Sequence, residues 1–132
     1  MLFRSQGAVV DGVQHALVAL DARMGEVFTG TFALDHNGVM HAVDEERVCA
    51  PQEVARPEHD EAVGLGIGFT RYPELNELGG KLAAVRPDSW PKASAVMDLA
   101  VDWISRHEPL PAEKAQPVYL RNKVAEKASK SS

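Results

Sequence analysis

Apolar residues in the first half of the chain follow the patterns of β-strands. Residues 15–20 (HALVAL) are almost continuously apolar and short, a pattern typical of a strand that is covered on both faces. After a turn, residues 26–34 resume the run, with Phe28, Phe32 and Leu34 on one predicted face. The chain therefore begins with two predicted strands, of which the first is central.

An asparagine-glycine pair marks the next turn. Asn37 and Gly38 predict a tight hairpin in which both residues have positive φ. The third strand, from Val39 to about Val48, is then expected to lie antiparallel beside the second. Its charged residues 44–47 suit an edge strand, because charges there block pairing with another chain. The three strands form a predicted meander.

The second half of the chain predicts one more strand and a closing helix. Residues 62–69 (AVGLGIGF) indicate a fourth buried strand that runs into a glycine-rich turn. Glycine and proline breaks between residues 72 and 88 favour irregular structure or short helices. Residues 92–107 predict a helix whose wide apolar face should pack broadly; that face carries Val96, Met97, Leu99, Ala100, Val101, Trp103 and Ile104.

These elements predict a mixed α/β domain. A three-strand meander, a crossover to a parallel fourth strand and packed helices are what a ribonuclease H-like unit needs, although other folds share the pattern. The 132 residues are enough for one domain, and 45% hydrophobic with 25% charged residues is typical of globular proteins. No apolar run approaches the roughly 20 residues that span a bilayer, so no membrane association is expected.

Charge and cysteine content narrow the function classes. The formal net charge of −5 argues against a broad surface that grips a phosphate backbone. The end of the chain is basic, and a solvated terminus is favoured there over a surface for nucleic acid or an acidic partner; its charges are Lys114, Arg121, Lys123, Lys127 and Lys130 against Glu126. Cys49 is the only cysteine in the sequence, which excludes an intramolecular disulfide, and it is predicted to be a small buried side chain. Without a secretory signal pattern, a cytoplasmic location is expected.

Candidate chemistry is sparse. The five histidines show no metal-site spacing, so neither a metal nor a catalytic group is predicted. Gly64, Gly66 and Gly68 are weak candidates for cofactor contact, because their spacing matches only part of a dinucleotide fingerprint. Close packing between backbone segments is the favoured interpretation of these glycines, and no cofactor is expected.

Two stretches carry a resemblance to a known family. Residues 17–28 (LVALDARMGEVF) and 116–125 (QPVYLRNKVA) resemble the two best-marked stretches in the C-terminal half of the TsaB (YeaZ) family. The resemblance implies one ribonuclease H-like half of an actin-like ATPase (ASKHA) fold. It also implies a partner or structural role for five residues of these stretches: Asp21, Arg23, Glu26, Tyr119 and Arg121.

The resemblance implies a non-catalytic scaffold or dimerisation subunit in the synthesis of threonylcarbamoyladenosine beside the tRNA anticodon. TsaD and TsaE homologues are the implied partners, self-association is implied for the full-length protein, and tRNA contact is expected only through the complex. In the catalytic relative, a glycine-rich turn after the first strand cradles phosphate. Residues 21–24 (DARM) place a carboxylate and two bulky side chains there, so the isolated chain is expected to be inactive.

The resemblance also implies a division of the chain. Residues 1–12 are expected to be a non-native start or linker remnant, residues 13–115 the domain, and residues 116–132 an extended basic tail. The family's first domain has no counterpart here, which predicts a truncated reading frame and self-association through exposed apolar surface. Two alternatives stay open: an actin-like kinase or ATPase, or a fragment of the metallopeptidase type with which the family was once labelled; and a ribonuclease H-like module that binds RNA.

Overall fold

The computed structural model describes residues 12–59 and 61–121, and the centre of this part is a six-stranded mixed sheet. The strands are β1 (His15–Arg23), β2 (Glu26–Leu34), β3 (Met40–Ala42), β4 (Arg47–Cys49), β5 (Val63–Leu65) and β6 (Ala84–Arg86). The helices are α1 (Gly68–Arg71) and α2 (Ala93–Arg106), and short 3-10 segments cover Pro51–Glu53, Pro73–Lys81 and Ala112–Lys114.

The strand order is β3–β2–β1–β5–β6, and β4 also pairs with β2. β2 is antiparallel to β1, β3 and β4, whereas β5 runs parallel to β1 and β6 runs parallel to β5. The predicted mixed sheet is therefore confirmed, with β1 in its centre and the meander at one side.

Alternate residues of β1 enter two hydrophobic clusters on opposite faces of the sheet. The first cluster contains Val13, Ala16, Val18, Phe32, Met40, Val63 and Leu65. The second contains Leu17, Ala19, Val27, Cys49, Val54, Phe69 and Leu75. This double burial explains the continuous apolar run of β1. Burial also raises the pKa of the Cys49 thiol, in keeping with the small buried side chain that the sequence predicts.

The turn after β2 forms where it was predicted, but by a different device. Of the asparagine-glycine pair, Gly38 has positive φ (77°) and Asn37 does not. Instead, Asp35 Oδ1 accepts hydrogen bonds from the backbone N–H groups of Asn37 (2.8 Å) and Val39 (2.9 Å). A side chain that bonds its own following backbone closes this turn.

The predicted continuous third strand is wrong. The segment divides into β3 and β4, and both pair with β2 at the edge of the sheet. Between them Asp44 Oδ1 accepts a hydrogen bond of 3.0 Å from the backbone N–H of Thr31. A carboxylate thus satisfies a donor of β2 that a continuous strand would have paired.

The predicted fourth strand is shorter than its apolar run. β5 ends at Leu65 because Gly66 adopts φ 108° and turns the chain. Phe69 then lies in α1, where it packs in the second cluster. The sequence pattern also missed β6, whose three residues are all exposed and show no apolar alternation.

α2 begins and ends within one residue of its prediction, but its predicted broad packing is wrong. Ala95 and Leu99 are buried, whereas Met97, Val101 and Ile104 are 60–65% exposed. The helix approaches the β2–β3 turn through a polar edge instead: Arg106 lies 3.5 Å from Asp35 and also pairs with Asp102 of its own helix. Three of the seven residues of its predicted apolar face therefore point away from the described residues.

Candidate functional site

The carboxyl end of β1 carries an ionic cluster centred on Asp21. Its Oδ1 accepts hydrogen bonds from the hydroxyl of Tyr72 (2.8 Å) and from the backbone N–H of Arg23 (3.0 Å). Its Oδ2 lies 3.3 Å from Nε of Arg71 and 3.9 Å from Nε of Arg23. The turn after β5 and the short helix α1 bring Arg71 and Tyr72 to this position, although they lie far from Asp21 in the sequence.

The pKa shifts in this cluster indicate a structural role and not acid–base catalysis. Burial alone would raise the pKa of Asp21, but the bonds from Tyr72 and the Arg23 N–H, together with the charge of Arg71, lower it overall. The pKa of Tyr72 is raised by burial and by its bond to Asp21. A general base at neutral pH needs a pKa near 7, and both shifts lead away from that value. The pair is thus a charged hydrogen bond that joins two segments.

The hairpin between β1 and β2 has an unusual backbone. Arg23, Met24 and Gly25 have φ values of 64°, 56° and 77°, and the pairing register shifts between Asp21 and Arg23. Met24 and Gly25 form a two-residue turn of the type that matches strand twist, which requires positive φ at both positions. For residues with a Cβ this conformation costs about 1–2 kcal/mol each.

The tail that follows α2 returns to this hairpin. The Arg121 side chain pairs with Glu26, and its Nη2 donates to the carbonyl oxygen of Arg23 at 3.4 Å. Its Nη1 lies 3.7 Å from Sδ of Met24. Leu120 packs against the first cluster, so the tail is held by this apolar contact and by the polar contacts of Arg121. Tyr119, by contrast, is 79% exposed.

The glycine-rich turn after β5 allows close packing. A Cβ added at Gly68 would lie 2.7 Å from the carbonyl oxygen of Ala19, and one at Gly64 would lie 2.8 Å from the ring of Phe69. The N–H of Gly66 donates to the carbonyl of Arg86 at 3.2 Å. These contacts give the three glycines a structural reason, since they let α1 approach β1 and let β5 meet β6.

The structure brings together four of the five residues to which the resemblance gave a partner or structural role. Asp21, Arg23, Glu26 and Arg121 form one connected network around the hairpin, and Tyr119 lies outside it. Sequence reasoning missed Arg71 and Tyr72. They lie next to a glycine-rich segment without periodicity, and no local pattern could have connected them to Asp21.

A concave region lies between the β2–β3 turn and α2. It encloses about 500 Å³ and is lined by Asn37, Gly38, Val39, Asp98, Leu99, Val101, Asp102 and Ser105.

Within residues 12–59 and 61–121, no group of three or more His, Cys, Asp or Glu side chains could hold a metal ion. None of the helices in that part of the chain is long and apolar enough to cross a membrane.

Solved structures place this architecture among the mixed α/β domains of YeaZ proteins. YeaZ from Pseudomonas aeruginosa superposes with a TM-score of 0.73 and 28% identity, covering 89% of this chain and 56% of that one. A P. aeruginosa protein described as similar to peptidase YeaZ gives a TM-score of 0.75 with 28% identity, over 91% of this chain and 55% of that one.

Curated relatives of this chain are named TsaB, which is the other name of the YeaZ family. TsaB of Escherichia coli K12, a tRNA threonylcarbamoyladenosine biosynthesis protein, is 32% identical over 118 residues, which are 87% of this chain and 51% of the relative. TsaB of Haemophilus influenzae is 27% identical over 122 residues, 84% of this chain and 49% of the relative. No family model matches the chain. The resemblance to TsaB (YeaZ) is thereby confirmed, and the chain spans about half the length of the curated relatives that it matches.

Proposed function

We propose that this chain supplies the C-terminal-type half of a TsaB subunit and acts as a non-catalytic scaffold in the cytoplasmic synthesis of threonylcarbamoyladenosine on tRNA. The similarity to two TsaB proteins over more than four fifths of the chain supports the pathway. In this proposal the domain is one half of an actin-like ATPase fold. TsaD and TsaE homologues are its partners, and tRNA is reached through the complex.

The observation that carries the non-catalytic role is the chemistry at the end of β1. A phosphate-binding turn needs backbone N–H groups directed at the anion and room for it to approach. Here the position holds the ionised Asp21 carboxylate, and the N–H of Arg23 is already bonded to it. The carboxylate repels a phosphate group, and the N–H that could bind a phosphate already donates to the carboxylate. The chain is therefore proposed neither to bind nor to hydrolyse ATP.

Two measurements test this proposal. Calorimetry of the chain with ATP and magnesium should give no binding in the micromolar range; clear binding would contradict the non-catalytic role. For the pathway, a hybrid E. coli TsaB in which the matching half is replaced by this chain should restore threonylcarbamoyladenosine in cells depleted of TsaB. Mass spectrometry of tRNA nucleosides gives the readout, with intact E. coli TsaB as the control. A soluble hybrid that restores none of the nucleoside would overturn the assignment.

A further inference from the structure

The tip of the β1–β2 hairpin keeps a costly conformation with side chains that are poorly suited to it. Arg23 and Met24 both have positive φ, a region that residues with a Cβ rarely occupy. Asparagine before Gly25 would form the same turn with less strain, because asparagine tolerates positive φ. Strained backbone of this kind is concentrated at functional sites.

Three contacts hold the backbone of the tip in place. The N–H of Arg23 donates to Asp21, the carbonyl of Arg23 accepts from Arg121, and Arg121 pairs with Glu26. The side chains at the apex nevertheless lie in solvent: that of Arg23 is 80% exposed, and Met24 is 72% exposed. The network therefore holds the backbone of the tip while leaving most of the surface of these two side chains accessible to another molecule.

The tail adds two exposed residues just before its contact with the tip. Leu120 and Arg121 hold the tail against the sheet and the hairpin, and the preceding Val118 and Tyr119 are 82% and 79% exposed. Arg23, Met24, Val118 and Tyr119 are called the tip surface below. Methionine, tyrosine and arginine are enriched at protein interfaces, and tyrosine and arginine dominate their binding hot spots.

We propose that the tip surface docks a protein partner that presents a carboxylate beside an apolar pocket. Arg23 provides the charge: its Nε lies 3.9 Å from Asp21, which already accepts a bond from Tyr72 and lies closer to Arg71. Met24 and Val118 provide the apolar contact. A nucleic acid fits less well, because Arg23 is the one cation of the tip surface and the neighbouring Arg121 is already paired with Glu26, whereas a phosphate backbone is held by several cations.

The proposed function supplies the probes, namely purified E. coli TsaD and TsaE. Binding of the full chain to each probe, and to both together, is measured by fluorescence anisotropy. Two variants address the tip surface: Arg23→Glu reverses its charge, and Met24→Asn removes its apolar apex while relaxing the turn. Arg56→Glu and Val43→Asn are matched controls at exposed positions elsewhere on the domain.

The expected result separates docking from a structural role. Each tip variant should weaken binding at least about tenfold, as loss of an interface hot spot does, and the controls should leave it unchanged. Met24→Asn should also raise the Tm by a few degrees, an improvement in stability that a purely structural role would not combine with weaker binding.

Three outcomes overturn the proposal. If the chain binds a probe and the tip variants bind equally well, the tip surface is not the docking site, and the proposed function stands if the hybrid restores the modified nucleoside. If the chain binds neither probe, docking to these partners is wrong, and the hybrid decides separately on the function. If tRNA is retained by the chain and released by Arg23→Glu and Tyr119→Ser, the surface belongs to nucleic acid.

Discussion

The hydroxyl of Tyr72 donates a hydrogen bond of 2.8 Å to the carboxylate of Asp21, a residue 51 positions earlier in the chain. The bond joins the end of β1, the central strand, to the segment that follows α1. Asp21 in turn bonds the backbone of Arg23, so the position of Tyr72 and the conformation of the hairpin are coupled through one carboxylate.

Removing this hydroxyl should destabilise the domain. Tyr72→Phe keeps the ring and deletes a bond to a charged, largely buried acceptor, so the free energy of unfolding should fall by about 1–2 kcal/mol. Urea denaturation gives the value. Tyr119→Phe is the matched control, because Tyr119 is exposed and its hydroxyl contributes little. Equal midpoints for the two variants would show that the bond contributes nothing.

Gly68 should not tolerate a side chain. In Gly68→Ala the new Cβ would lie 2.7 Å from a backbone oxygen of β1, an atom that cannot move without disturbing the central strand. Overpacking of this kind typically costs about 1–3 kcal/mol, and a loss in the upper part of that range is expected in urea denaturation. Thr70→Ala, at an exposed position of the same short helix, should change stability far less. Full stability of Gly68→Ala would mean that α1 is not packed against β1.

Because of Asp35, the free energy of unfolding should depend on pH in the acidic range. The N–H of Val39, helped by that of Asn37 and by His41, holds the pKa of Asp35 well below its usual range despite some desolvation. A carboxyl whose pKa is lower in the folded state stabilises the protein above the unfolded value of about 4, and this stabilisation is lost as the pH falls further.

Asp35→Asn should therefore lower the Tm at pH 7 and reduce the further loss of Tm between about pH 4 and pH 2. Asp98→Asn is the control, because it also removes one carboxylate but lies on the exposed side of α2. Thermal melts at several pH values compare the three proteins. Parallel pH profiles for Asp35→Asn and the unaltered chain would contradict the prediction.

The exposed side of α2 should control association without controlling stability. Replacing Val101 and Ile104 together by glutamine removes apolar surface that the described residues leave uncovered. Light scattering should then show less self-association, with the Tm unchanged. Leu99→Ala, on the buried side, should cost about 2 kcal/mol or more. A large loss of Tm in the glutamine double variant would show that this face is packed.

Prediction from the sequence worked where burial leaves a local pattern of apolar residues. β1 and β2 were located because burial on both faces leaves a dense run of apolar residues between turn residues. β6 was missed because an exposed strand of three residues has no such pattern. The helix α2 was located, but its packing was not, because an apolar face does not say which neighbour covers it.

The same limit holds for the candidate site. Resemblance indicated Glu26 and Arg121 separately, yet their ion pair depends on how the tail returns over the sheet, which no local spacing contains. The three consecutive residues with positive φ at the tip were equally invisible, because arginine and methionine do not predict that conformation.

The interrupted edge of the sheet has a consequence for assembly into fibrils. β3 and β4 offer three residues each, separated by acidic residues, and β6 at the opposite edge is equally short. An incoming strand from another molecule would find few consecutive backbone groups at either edge of the described sheet. Cross-β growth and donor-strand exchange are thereby disfavoured, so copies that meet in solution should join through their side chains and remain separable.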